Sequence, residues 1–290
     1  MAQSLPSAVD DRRELEDPRK VEDHRDSAAK LAAVLASLPA SVQPAVESGT
    51  FVAVDGQFGW GDRIGEALDS GARGILVYEP CDLAEFDLAQ LLEVSARAAA
   101  DRVPVVLDTG WAQNCAVASA AEGFRELSEQ QRILEASLVA HPGASLRNLL
   151  VAQLALVRAA VSAVSALEPI IVSSHGYSMV GILNSGNRVS LAATLTRSLP
   201  ESATLRMLGQ HGSVTLRLTE QTTARPGRVT LTGPSGSTQL PTRFETGHRV
   251  AWRRLSAAVS VGKAVSDLED FIDDMTVAAG AITADVAVPN

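Results

Sequence analysis

The chain has 290 residues, 46% of them hydrophobic and 20% charged, with a formal net charge of -9 at pH 7 and a pI near 5.1. That length can bury a sizeable core and predicts two domains. The acidic balance repels a phosphate backbone, and no Lys/Arg cluster interleaved with aromatics offsets it, which speaks against nucleic acid as a partner.

Two cysteines, Cys81 and Cys115, cannot build a disulfide framework. The start MAQSLPSAVDDRRELEDPRK has no apolar run after its charges, so the expected location is the cytoplasm. Leu149 to Val172 is the most apolar stretch, but Gln153, Arg158 and several serines interrupt it. It predicts a helix packed on a sheet and no membrane span.

In chain order, residues 10–27 carry both charge signs and only Leu15 and Val21 as apolar residues. Residues 1–27 are therefore expected to be a charged flexible segment or a solvated helix. From Ala28 onward, Leu31, Val34, Leu35 and Leu38 share one helix face, and Pro39 and Pro44 end it. Phe51 to Val54 is the first strand, followed by a helix from about Asp62 to Leu68 with Gly71 as a left-handed cap.

GILVY is an apolar β-rich run of the length of a buried parallel strand, stopped by Pro80. Asp82 and Glu85 open the next helix, which runs to about Ala99 with Leu83, Phe86 and Leu91 on one side. VPVVL, Val103 to Leu107, is the third strand. This alternation predicts a partial Rossmann-like parallel α/β domain over residues 28–125.

Beyond that point the texture changes. RILEASLVA is a strand, LRNLLVAQLALVRAAVSAV a long helix, and IIVSSHGYSMVGIL, RVSLAATLTRS, ATLRML, SVTLRL and RVTL alternate with period 2. The tail from about Gly247 returns to helix. Residues 126–290 thus predict an α+β domain with an open mixed or antiparallel sheet. Along RVSLAATL, Val189, Leu191, Ala193 and Leu195 point one way and Arg188, Ser190, Ala192 and Thr194 the other. An uncovered apolar sheet face calls for a partner.

The stretch FVAVDGQFGWGDRIGEALDSGARGILVYEP has two readings. In one, Gly59, Gly61 and Gly65 replace a dinucleotide fingerprint and Glu79 meets a ribose hydroxyl, although GxGxxxG is one residue longer than GxGxxG. In the other it is a connecting loop in which the Phe58 and Trp60 rings cap the sheet and the glycines permit the turn. A lone glycine pattern is a weak signal and favours the second.

Other chemistry is sparse. His24, His141, His175, His211 and His248 show no paired ligand spacing, so no metal is expected. His175 and Tyr177 lie on one face of their run, which either lines a cleft that holds a small-molecule ligand or is the solvent or interface face of a sheet. Ser178 lacks the strand-to-helix turn of a nucleophile elbow. Cys81 reads as a small buried hydrophobe.

ALDSGARGILVYEP, followed by a capped helix, a strand and NCAV, resembles the part of the Gfo/Idh/MocA oxidoreductases where "AL…GKHVLVEKP" leads to a helix, a strand and "RFNPAV". GASLRNLLVAQLALVRAAV resembles that family's "GG…D…H…D" helix, and VSLAATLTRS with LRMLGQHGSVTL its strands around "GT.G". The likeness runs from about Val52 onward. It implies an N-terminally abbreviated relative, because only about fifty residues precede Phe51 and they carry no phosphate-loop glycines.

The resemblance also places the family's catalytic lysine at Glu79, its aspartate at Asn148 and its histidine at Ala152. Alanine cannot carry a proton, and an ionised carboxylate would repel a developing alkoxide. The expectation is thus a degenerate, non-catalytic accessory or structural subunit without a cofactor. It would pair through its C-terminal sheet with itself or with a fuller oxidoreductase paralogue. The alternative is an active NAD(P)-dependent oxidoreductase on a small molecule or sugar-like substrate. In that case the nucleotide site is rebuilt at Gly59 to Gly65, NAD or NADP is the cofactor, and Tyr78 and Glu79 are the nearest titratable groups.

Overall fold

A computed structural model describes residues 29–57, 59–81, 85–128, 133–220, 225–263 and 265–282, with only the backbone for 85–87. Residues 1–27, His24, Phe58, Asp82, Leu83 and the side chains of Glu85 and Phe86 lie outside the described residues.

A helix over residues 29–36 (α1) and a short one, α2 (Gln43–Glu47), precede three parallel strands. These are β1 (Phe51–Asp55), β2 (Gly74–Tyr78) and β3 (Val105–Asp108), in the order β1-β2-β3. The helices α3 (Trp60–Asp69) and α4 (Glu85–Ala100) make the crossovers. The unit is βαβαβ, one half of a doubly wound fold.

Alternation along the strands sends Val54, Ile75, Val77, Val105 and Leu107 to one face and Phe51, Leu76, Tyr78 and Val106 to the other. Every residue of β2 is buried, as its apolar run requires. Trp60, the first residue of α3, is fully buried, stands edge-on to Phe271 at 5.5 Å and donates its indole N–H to the Cys81 carbonyl. Truncating Trp60 to alanine is expected to cost about 3–5 kcal/mol in denaturant unfolding.

After a 3-10 turn (Gly110–Gln113) and α5 (Cys115–Ser128), the chain builds an eight-stranded sheet. Its strands are β4 (Ile133–Ala140), β5 (Val164–Ser173), β6 (Gly176–Leu183), β7 (Arg188–Leu195), β8 (Ser202–Leu208), β9 (Ser213–Thr219), β10 (Arg228–Gly233) and β11 (Gly236–Gln239). The order is β11-β10-β9-β8-β4-β7-β6-β5. β4 pairs parallel with β7 and antiparallel with β8, so the sheet is mixed.

The run IIVSSHGYSMVGIL is a hairpin turning at Ser174 and His175. The long helix, α6 (Leu146–Ala160), ends earlier than its pattern predicts, and the chain continues as edge strand β5. Pro169 is tolerated there because an edge strand leaves one side unpaired.

The α5 and α6 helices cover one face of the large sheet, where Val189, Leu191 and Ala193 are buried. At the centre, Gln153 of α6 donates to the Ala136 and Ala192 carbonyls and accepts from the Tyr177 hydroxyl at 2.8 Å. Tyr177→Phe would leave a buried amide oxygen unpaired, an expected loss of about 1–3 kcal/mol by chemical denaturation. The other face is open, with Ile133, Val180, Ile182 and Leu208 exposed beside a Glu135–Arg206 ion pair.

The last two helices change the domain division. α7 (Gly247–Val261) packs on β2 and β3, and α8 (Asp267–Ala281) packs on α6, β5, α4 and β3. Residues from 247 onward therefore belong partly to the first sheet, not wholly to a unit spanning 126–290. A parallel strand apolar on both sides needs cover on both, and Ala251, Trp252 and Leu255 of α7 supply the second. Asp267 of α8 accepts the Leu107 N–H on the outer edge of β3, at 3.0 Å.

Candidate functional site

The carboxyl ends of β1, β2 and β3 bring together Asp55, Tyr78, Glu79, Asp108 and His248. The chain turns at Gly56, whose N–H donates to the Tyr78 carbonyl at 2.7 Å and whose carbonyl accepts from the Cys81 N–H at 2.8 Å. A side chain at Gly56 would collide with the backbone of Tyr78 and Glu79. Only glycine lets β1 cross β2 this closely.

Glu79 sits in the left-handed region, with φ 47. That conformation costs an ordinary residue about 1–2 kcal/mol, and Pro80 disfavours it further by favouring extended backbone before it. The sequence gives no sign of this strain. Pro80 there suggests only ordinary pre-proline geometry.

Asp108 is fully buried and takes the His248 Nδ1 at 2.5 Å. His248, the second residue of α7, is itself buried and stacks beside the Tyr78 ring at 4.9 Å between centroids. Burial and the α7 N-terminus disfavour an imidazolium. Against burial, the hydrogen bond to Asp108 and the charges of Asp108 and Glu79 hold the His248 pKa above its usual value. Burial pushes the Glu79 carboxyl up, opposed by the charge of His248 and more weakly by Lys30 of α1. Burial, and next the charge of Glu79 with those of Asp108 and Asp55, raise the Tyr78 pKa too.

The strand ends thus gather a buried carboxylate hydrogen-bonded to an imidazole, and a half-buried carboxyl whose charge the imidazole feels. His248 was invisible to ligand-spacing arguments because it lies 140 residues from Asp108. The one sequence signal is its place just after Thr246, the N-cap of a predicted helix.

A cavity of about 400 Å³ opens on the other side of the β3 end, among the 3-10 turn, α5, α6, α7 and α8. Thr109, Gln113, Asn114, Arg158 and Arg254 are among its polar lining, and Tyr78, Glu79, His175 and Tyr177 are not. Asn148 and Ala152 share the α6 face of Ala155 and Ala159, which line it.

His175 is exposed in the β5–β6 turn with its ring on Ser174, and Tyr177 is buried against Gln153. The structure thus separates these two from Tyr78 and Glu79, because strand pairing turns Tyr177 into the helix–sheet core. Among the described residues no group of three or more His, Cys, Asp or Glu could hold a metal ion, and no helix is long and apolar enough to cross a membrane.

The glycine turn places Gly59 at φ 79 as the N-cap of α3, a helix end with no side-chain cap. Side chains at Gly61 or Gly65 would meet nothing within 4 Å, and at Gly59 only the Arg63 guanidinium. Open glycines, an uncapped helix end and a nearby cation fit a phosphate group. Glu79 ends the adjacent parallel strand, as the acidic residue of a dinucleotide fingerprint does, but its carboxyl belongs to the Tyr78 and His248 cluster.

No family model matches the chain, and no curated protein does. Solved structures do. A putative NADPH-dependent oxidoreductase from Desulfitobacterium hafniense is 12% identical over 76% of this chain and 73% of its own, with a TM-score of 0.62. The 3-ketoreductase KijD10 from Actinomadura kijaniata, in complex with NADP and TDP-benzene, is 13% identical over 80% and 76%, with a TM-score of 0.57. An oxidoreductase from Agrobacterium radiobacter, in complex with NAD+, L-tartaric acid and magnesium, is 12% identical over 76% and 73%, with a TM-score of 0.55.

The chain therefore has the two-domain α/β fold of nicotinamide-dependent oxidoreductases: a parallel Rossmann-like sheet and a mixed sheet with helices. The expectation of no cofactor is overturned by the KijD10 and Agrobacterium neighbours, whose structures hold NADP and NAD.

Proposed function

We propose that the protein is an NAD(P)-dependent oxidoreductase acting on a small molecule or sugar-like substrate, with its proton-handling site at Glu79. The observation that carries this reading is the strained, half-buried Glu79 backed by the His248–Asp108 pair, at the strand ends where doubly wound folds hold their ligands. The nicotinamide supplies or takes a hydride when bound, and the Gly59, Gly61 and Gly65 turn would hold its diphosphate.

The rest is this chain's own work. Burial raises the Glu79 pKa, and in its protonated form the carboxyl would donate to a developing alkoxide oxygen, where an ionised carboxylate would repel it. The carboxylate left behind is reprotonated by the His248 imidazolium, and Asp108 fixes that ring and balances its charge.

Titration with NADPH and NADH while following the melting transition tests the reading. Saturation at a hundred times Kd is expected to add about 2.7 kcal/mol. Absence of any shift, together with no NAD(P)H oxidation across sugar-type ketones, would reject it.

A second reading concerns assembly. The open apolar face around Val180 and Ile182 supports pairing with a second copy through the large sheet. Native mass measurement should give a dimer, and Ile182→Lys should return the monomer with an unchanged circular dichroism spectrum. A wild-type monomer at micromolar concentration would reject it.

A further inference from the structure

The roughly 400 Å³ cavity has a charge pattern that the proton site does not explain. Arg158 gives its fork to Asp274 at 2.7 and 3.2 Å and its remaining nitrogen to Asp270 at 3.2 Å. Arg254 is likewise held by Asp267, at 2.8 and 3.1 Å, and by Gln113 at 3.0 Å. All five charged groups line the cavity, so three carboxylates meet two guanidinium groups and leave one negative charge in excess. Both arginine forks are spent on protein carboxylates, so an incoming phosphate or carboxylate finds no open bidentate donor.

Asp270 differs from its neighbours. It is about two-fifths exposed, whereas Asp274 is almost wholly buried. Besides Arg158 it accepts, among the described residues, only the Ser266 hydroxyl at 3.1 Å, which leaves acceptor capacity on a carboxylate at the cavity wall. Leu107, Val117, Val250 and Phe271 supply apolar walls, and Thr109 and Asn114 supply neutral hydrogen-bonding groups. A concave, partly open cleft with apolar walls and a few convergent polar groups has the attributes of a small-molecule site.

We infer that this cavity binds a small polar molecule carrying a primary ammonium group, with Asp270 as the cation's partner and Thr109 and Asn114 contacting hydroxyls. The inference does not rest on the nicotinamide reading, since the cavity shares no residue with the Glu79 cluster. The size suits a compound of hexose dimensions.

Calorimetric titration of the full chain with D-glucosamine, D-glucose and D-gluconate, without nucleotide, tests it. Glucosamine is expected to bind at least about tenfold more tightly than glucose, and gluconate not detectably. Asp270→Asn should erase the preference while keeping the far-ultraviolet spectrum. Ala159→Leu, an exposed helix position on the cavity wall, should block all three sugars without lowering the melting temperature. Equal or tighter binding of glucose or gluconate, no glucosamine binding, or unchanged binding in Ala159→Leu would each overturn the inference.

Discussion

Replacing His248 with alanine is expected to lower the unfolding free energy by about 3–5 kcal/mol, because it leaves the fully buried Asp108 carboxylate without its counter-charge. Asp108 keeps one other contact among its hydrogen bonds, the Gly110 N–H at 3.3 Å, which cannot neutralise it. The double variant with Asp108→Asn should recover part of the loss, because no orphan charge then remains.

The pH dependence separates the groups. His248 and Glu79 both hold their protons more tightly in the folded chain than in the unfolded one. Each therefore contributes stability that is complete below its unfolded pKa and is lost as pH rises through its folded value. The Glu79 window opens above 4.5 and the His248 window above 6.5. In His248→Ala the upper decline should vanish and the lower one remain. Urea midpoints taken from pH 4 to 9 would show this, and a variant that keeps the upper decline would refute the assignment.

The second large effect has opposite signs on stability and activity. Glu79→Gly removes a left-handed non-glycine residue and a desolvated carboxyl, so the fold should gain about 1 kcal/mol after allowing for glycine's extra unfolded-state freedom. The same change removes the proposed proton donor, and turnover should fall by about 10²–10⁴-fold. Glu79→Gln keeps the strain and the shape and should lose turnover without gaining stability. If Glu79→Gly were less stable than the parent, the backbone strain would not be stored there. If either variant kept full turnover, Glu79 would not carry the proton.

Periodicity and composition determined much of the architecture. The GILVY run fixes β2 as a strand buried on both sides, and the 3.6-residue pattern of α3 and α6 and the period-2 alternation of β4 to β10 are each local. They follow from which side chains a given backbone turns toward water. The order of these elements was enough to read a parallel unit followed by a mixed sheet. The strand-end position of Glu79 and Tyr78 was legible for the same reason.

Only the tertiary structure decided the rest. That α7 closes the second face of the small sheet, that His248 meets Asp108 across 140 residues, and that Tyr177 turns into the core beside Gln153 all depend on long-range packing. Glu79's chemistry changed with them. As a letter in the sequence it is an ordinary ionised carboxylate; burial at the strand end raises its pKa against the opposing charge of His248. A pKa is set by solvation and neighbouring charge, and those exist only once the chain has folded.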